Sequence, residues 1–179
     1  MVCQLINVQK TYSQDKTQQS PKEVKIGSQV WMSQNLDTDK FNNGDAIPQA
    51  KTAAEWVEAA AKKTPAWCYY ENDSNYGLKY GKLYNFYAVN DPRGMAPKGW
   101  HIPTEPEFTA LVKLLGNAES GLKLKGISGW GTKAKGTNES GFNALPGGER
   151  TDGAFGADCQ FMGVEVCACF WTATPKDST

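Results

Sequence analysis

Apolar and polar positions alternate where the folded part of the chain begins. Val24-Lys25-Ile26 alternates, Gly27-Ser28 offers a turn, and Val30-Trp31-Met32 follows, which predicts a β-hairpin. Upstream, residues 11–23 (TYSQDKTQQSPKE) are polar and Gln-rich and hold no large aliphatic residue, the pattern of a linker or arm. Residues 1–10 have the composition of a strand. The expected division is therefore an N-terminal polar arm, 1–23, and one domain, 24–179. A helix is predicted over 52–63: Thr52 can cap it, Glu55 completes a capping box, and Trp56 with the alanines forms its packed face. Residues 67–70 (WCYY) read as an aromatic strand. Tyr80, Leu83, Tyr84, Tyr87 and Ala88 recur at spacings of three and four, which predicts a helical face over 80–89, weakened at its start by Gly77 and Gly81. The clearest helix lies over 105–115. Thr104 is its N-cap, Glu107 stands at the third helical position, and Pro106 is tolerated in the first turn. Phe108, Leu111, Val112 and Leu115 form its stripe, and Gly116 ends it. From 117 onward the chain is Gly-rich, with short strands expected near 142–145, 161–164 and 170–173.

A length of 179 residues suits one compact domain, and six Trp with eighteen Gly imply a turn-rich fold whose buried area is largely aromatic. Nineteen basic and nineteen acidic residues balance, and they balance in each half of the chain as well. Long-range steering toward a polyanion is thereby excluded, so nucleic acid is not an expected partner. No apolar run is long enough to span a bilayer. The opening MVCQLINVQK has no basic start and no apolar stretch of the secretory kind. The five cysteines, Cys3, Cys68, Cys159, Cys167 and Cys169, are odd in number and fit no closed disulfide framework. Cys167-Ala168-Cys169 is too tightly spaced for a zinc knuckle. Buried thiols with one bridge at most are expected.

Catalytic constellations are weak. His101 is the single histidine and sits between Trp100 and Ile102, a setting that favours a packed structural role. No G-x-S-x-G elbow accompanies it. Glu105, Glu107, Glu139, Glu149 and Asp152 could supply a glycosidase-like carboxylate pair, but Glu107 already has a capping role. Pro146-Gly147-Gly148-Glu149-Arg150 lacks the ending of a phosphate loop and reads as a tight turn with Arg150 paired to a carboxylate. Asp37, Asp39, Asn42, Asn43 and Asp45 are oxygen donors without the order of a calcium loop. Trp130, between Gly129 and Gly131, has two readings: an exposed ring that stacks on a ligand, or a plug that fills the core from a loop. The residues thus point away from an enzyme, and no cofactor or metal is expected.

Five phrases in order carry a resemblance: VKIGSQVWMSQNL at 24–36, YGKLYNFYAVN at 80–90, PKGWHIPTEPEFTAL at 97–111, TNESGFNALPGGER at 137–150 and FWTAT at 170–174. Together they resemble the Fibrobacter succinogenes major paralogous domain, found in secreted proteins and lipoproteins of Bacteroidetes-type bacteria and in some of their phages. HIPTEPEF is similar, more distantly, to the RLPTEAEW phrase of the formylglycine-generating sulfatase-modifying family. That similarity implies an α+β, C-type-lectin-like fold: a small twisted antiparallel sheet, two main helices and long Gly-rich loops. Cys167 and Cys169 do not match the copper-binding spacing of that enzyme family.

The resemblance implies a non-catalytic recognition module outside the cell, at a cell surface or on a particle, holding a glycan or a protein in the loops of its second half. Trp130, Asn138, Arg150, Asp152 and Trp171 are the candidate ligand contacts. The alternative is a structural subunit of a larger assembly, such as a phage tail, a contractile injection apparatus or a surface fibre. Members of the resembled family continue past the FWTAT-like phrase, so an unpaired apolar edge is expected near residues 170–172. Residues 1–10, a partner chain or further residues would have to cover it.

Overall fold

The computed structural model describes residues 22–131, 135–151 and 160–174. Among them are short helices and three two-stranded antiparallel sheets, an α+β composition. The predicted hairpin forms as β1 (Glu23–Ile26) and β2 (Gln29–Met32), with Val24 opposite Trp31. Helix α1 (Ala53–Ala61) carries the predicted capping box: the Thr52 hydroxyl accepts from the Glu55 amide at 3.2 Å, and the Glu55 carboxylate accepts from the Thr52 amide at 3.0 Å. The candidate strand at 1–10 lies outside the described residues.

The stretch read as one helix over 80–89 is three elements. Helix α2 (Ser74–Tyr80) ends at Gly81, whose φ of 76° and ψ of −152° no helix continues through. The two-residue strand β4 (Leu83–Tyr84) then pairs with β3 (Trp67–Cys68), and helix α3 (Phe86–Val89) follows. This short ladder divides the interior. Neighbouring residues of a strand point to opposite faces. Trp67 and Tyr84 accordingly join a cluster with Leu36, Phe41, Ile47 and Val89, while Cys68 and Leu83 join Trp56, Ala66 and Tyr70 on the other side. Both faces are buried, so the sequence shows no alternation there.

Helix α4 (Glu105–Leu114) forms as expected and is followed by Gly116 in a left-handed conformation. Its Leu111 packs into a third cluster with Ile26, Trp31, Met32, Trp130, Phe142 and Ala144. Trp100 touches both this cluster and that of Trp67. A short helix, α5 (Ser120–Leu124), occupies part of what was expected to be loop.

In the second half, strand β6 (Phe161–Val164) lies where predicted. Its partner is β5 (Gly147–Arg150), a stretch read from sequence as a turn. Gly148 belongs there for steric reasons. A Cβ on it would stand 2.4 Å from the Met162 carbonyl oxygen and 2.8 Å from the Tyr70 ring. Residues 142–145 contribute only a bridge between Ala144 and Lys125. Residues 170–172 form no strand, only an isolated bridge at Phe170, and are half-buried. The Phe170 ring stacks on Phe108 and meets Phe142 edge-on, and the Ala173 amide donates to the Pro103 carbonyl at 2.8 Å.

Buried polar groups knit the loops to this frame. Asn85 accepts from the Ala66 and Ala88 amides at 3.0 and 2.9 Å and donates to the Thr64 carbonyl at 2.8 Å. The Tyr84 hydroxyl, fully buried, accepts from the Thr38 amide and donates to the Thr38 carbonyl. Burial pushes its pKa well above the usual phenol range.

Candidate ligand-binding surface

His101 and Glu107 come together, but as part of the α4 cap. The Glu107 carboxylate accepts from the Thr104 amide and the Thr104 hydroxyl, each at 2.8 Å, and faces His101 Nε2 at 2.9 and 3.1 Å. Through its backbone carbonyl Glu107 also takes a bond from the Gln29 side chain, tying α4 to the hairpin. Partial burial raises the carboxyl pKa. The Thr104 amide and hydroxyl and the His101 ring outweigh that, and the group stays below its ordinary value. Both oxygens of this carboxylate are thus engaged, one by Thr104 at the helix start and both by His101.

Two predictions follow from the cap. Thr104→Ala should cost about 0.5–2 kcal/mol in denaturant unfolding, with ligand capture by the folded fraction unchanged. Because the folded-state pKa of Glu107 is depressed, its contribution is present above the unfolded value and is lost as pH falls through the folded one. Melts recorded from neutral pH to below 4 should show a shallower acid decline for Glu107→Gln than for the parent. Parallel declines would remove Glu107 from the acid response.

Of the five candidate contacts, the four among the described residues each hold a separate part of the fold. Trp130 takes the core-filling role: it is 7% exposed, donates from Nε1 to the Ala144 carbonyl at 3.1 Å, and has the Lys125 ammonium 4.5 Å above its ring. Asn138, in the left-handed region at φ 51°, accepts from the Asn143 amide at 2.8 Å and so shapes its own loop. Arg150 is 1% exposed. Its guanidinium lies between the Trp56 and Phe161 rings and donates to the Thr52 carbonyl at 3.0 Å and to the Asn72 side chain at 3.3 Å. Trp171 is half-buried and donates to the Tyr84 carbonyl at 2.9 Å. Asp152 lies outside the described residues.

Three of the oxygen donors weighed from sequence, Asp37, Asn43 and Asp45, are also engaged. Asp45 bonds Asn43 at 2.8 Å and Arg93 at 3.0 Å, and Asp37 pairs with Lys82. The Asn43 and Arg93 bonds hold the Asp45 carboxyl below its usual pKa. Among the described residues no group of three or more His, Cys, Asp or Glu is placed to hold a metal ion, and no helix is long and apolar enough to cross a membrane. An open groove of about 290 Å³ runs beside α1, floored by Ala50 and Ala66 and rimmed by Glu55, Glu58 and Lys62. Its rim charges are committed as well, Glu55 to the capping box and Glu58 to Lys62.

Aliphatic exposure marks a different place. Leu78 is 90% exposed, Ile127 69% and Val166 66%. They belong to three segments that meet around Lys79. The Lys79 ammonium is 4.0 Å from Glu165, its side chain passes 3.8 Å from where a Gly129 Cβ would stand, and the Gly131 amide donates to the Glu165 carbonyl at 2.7 Å. Each exposed aliphatic residue lies within two positions of that junction. Sequence reading missed it because no local pattern distinguishes an exposed Leu or Val from a buried one. Only Leu78, between Gly77 and Lys79 on a short polar helix, gave a local hint.

Residues 24–179 match a family model described as the Fibrobacter succinogenes major domain. No curated protein and no solved structure matches the chain.

Proposed function

The chain belongs to the Fibrobacter succinogenes major domain family, and from that premise we propose that it is a non-catalytic recognition module, displayed outside the cell or on a particle, whose ligand is a protein. The observation that carries this reading is the junction of Leu78, Ile127 and Val166 around the Lys79–Glu165 pair. Exposed aliphatic side chains next to a charge pair match the apolar centre and polar rim of a protein interface. Of the two ligand classes weighed, a glycan is the less favoured. Sugar stacking calls for open aromatic faces, and each of the six Trp side chains is buried or half-buried. The commitment of His101 and Glu107 to the α4 cap supports the non-catalytic side of the reading. A C-type-lectin-like fold is part of the same proposal. Two principal helices, α1 and α4, small antiparallel hairpins and loops pinned by side chains such as Asn85 support it.

The test compares the parent with a Leu78→Glu, Val166→Glu double variant, by cross-linking on the native cell surface and in parallel on a glycan array. The variant should keep the parent melting temperature, since both side chains are exposed, and lose capture of its protein partner by tenfold or more. Equal capture by the two proteins would remove the junction as the site. Glycan binding unaffected by the double substitution would overturn the protein reading. Turnover of any substrate, abolished by changing His101 or Glu107, would overturn the non-catalytic one.

A further inference from the structure

One wall of the groove beside α1 is an open strand edge. Residues 48–50 run alongside β3 in parallel, with Gln49 bridged to Trp67. The Trp67 amide donates to the Pro48 carbonyl at 3.0 Å, and the Ala50 amide donates to the Trp67 carbonyl at 2.8 Å. In a parallel ladder the residue between two such bonds turns its own N–H and C=O the other way. Those two groups of Gln49 therefore face away from β3, and neither has a partner among the described residues. Strand β4 takes the opposite side of β3, so Gln49 is the edge of this small sheet. Helix α1 forms the facing wall. Glu55, Glu58, Ala59 and Lys62 line the groove from one face of that helix, and Ala50 and Ala66 floor it.

We propose that this groove receives an extended peptide segment of a partner protein, which adds to the Gln49 edge as a further strand and carries a Lys or Arg side chain toward α1. Strand addition requires an outward donor and acceptor on the receiving edge, and Gln49 supplies one of each. The floor sets side-chain size. Alternate residues of an added strand turn toward α1, where Ala50, Ala59 and Ala66 leave about 290 Å³. The rim sets charge, because two carboxylates there stand against one ammonium. The bonds that Glu55 accepts from the Lys51 and Thr52 amides both end on Oε2, and the bond that Glu58 accepts from Lys62 ends on Oε1. Glu55 Oε1 and Glu58 Oε2 have no partner among the described residues. An incoming cation meets acceptors already in place, whereas an incoming carboxylate meets like charge. The edge is also short. Pro48 has no amide to offer, and the Lys51 amide is taken by Glu55. Main-chain pairing is thus confined to Gln49, and the side chains in the groove supply the specificity. A short edge flanked by proline and charge resists pairing with a second copy of itself, which leaves a separate peptide as the occupant.

The groove shares no residue with the Leu78 junction, so its test is independent of that reading. Random heptapeptides displayed on phage are selected on the full chain, and the enriched sequences are synthesised and titrated by fluorescence anisotropy. They should carry a Lys or Arg. Gln49→Pro removes the outward amide but keeps both bonds to Trp67, which Pro48 and Ala50 make. It should hold the parent melting temperature and weaken peptide binding tenfold or more. In the parent, hydrogen exchange at the Gln49 amide should slow at least tenfold when peptide is bound. Methylating one particular amide nitrogen of the peptide should abolish binding, while methylating its immediate neighbours should not, since successive amides of a strand point to opposite sides. Glu58→Lys should weaken binding of the Lys-bearing peptide tenfold or more and should restore binding of the same peptide with Glu in place of that Lys. Selection that enriches no peptide, or peptides that bind Gln49→Pro as tightly as the parent and leave exchange at Gln49 unchanged, would overturn the proposal. Equal binding of the Lys-bearing peptide by Glu58→Lys and the parent would overturn the placement of its cation at this rim.

Discussion

Trp31→Ala should destabilise the protein by about 3–5 kcal/mol, the range for deleting a fully buried large aromatic side chain. For a chain of this size the melting temperature should fall by roughly 10 °C. The expectation rests on where the ring lies. Trp31 is 0% exposed, and its centroid is 5.0 Å from that of Phe108 on α4 and 5.6 Å from that of Phe142 in the Gly-rich half. Its indole N–H donates to the Gln29 side chain, which in turn donates to the Glu107 carbonyl. One side chain thus joins the hairpin, the best helix and a loop that has no regular structure of its own. Truncation leaves a cavity that three different elements would have to collapse into, and a relayed hydrogen bond goes with it. Trp31→Phe keeps most of the contact and should lose about half as much. Leu78→Ala, at an exposed position, should stay within about 0.5 kcal/mol of the parent. Denaturant midpoints of the three variants check the ranking. A Trp31→Ala midpoint equal to that of Leu78→Ala would mean that this cluster does not bear on stability.

What could be read from the sequence was what is decided locally. The hairpin followed from Gly27-Ser28 between alternating segments, and α1 and α4 followed from capping residues that act within one turn. Where tertiary packing decides, the reading failed. Leu83 and Tyr84 are adjacent and both buried because the ladder they form lies between two core clusters; their spacing to Tyr80 and Tyr87 therefore imitates a helix. Gly147-Gly148 has the composition of a turn yet is strand, paired with β6; at Gly148 the glycine is there because Met162 and Tyr70 leave no room for a side chain. The direction of the Trp130 ring is set by the Ala144 carbonyl, fourteen residues along the chain. For the same reason the Leu78–Ile127–Val166 junction was illegible: its three segments are brought together only by the fold. The family phrases were legible throughout, but they name a lineage and do not identify a ligand.

Arg150 illustrates the gap best, because Arg is among the residue types least often found inside. Arg150→Ala should cost about 2–4 kcal/mol, from charge-assisted hydrogen bonds of about 1.5–3 kcal/mol and a desolvated cation–π contact of about 2 kcal/mol, set against relief from burying the charge. The guanidinium reaches three places at once. It donates to the carbonyl of Thr52, the residue that caps α1, and to the side chain of Asn72, at the end of the turn after β3, while the rings of Trp56 and Phe161 hold its plane. It therefore fixes the start of α1 against the β5–β6 hairpin. Lysine keeps the charge but has no planar fork to address two acceptors and stack between two rings, so Arg150→Lys should lose nearly as much as Arg150→Ala. Arg150→Met fills the volume without a charge and should fall between Ala and the parent, because the Thr52 and Asn72 oxygens lose a donor. The local signature is faster hydrogen exchange at the Glu55 and Trp56 amides, the first to feel a loosened α1 cap, in both the Lys and the Met variants. Parent stability in Arg150→Lys, with unchanged exchange at those two amides, would reduce Arg150 to a buried charge with no part in holding α1.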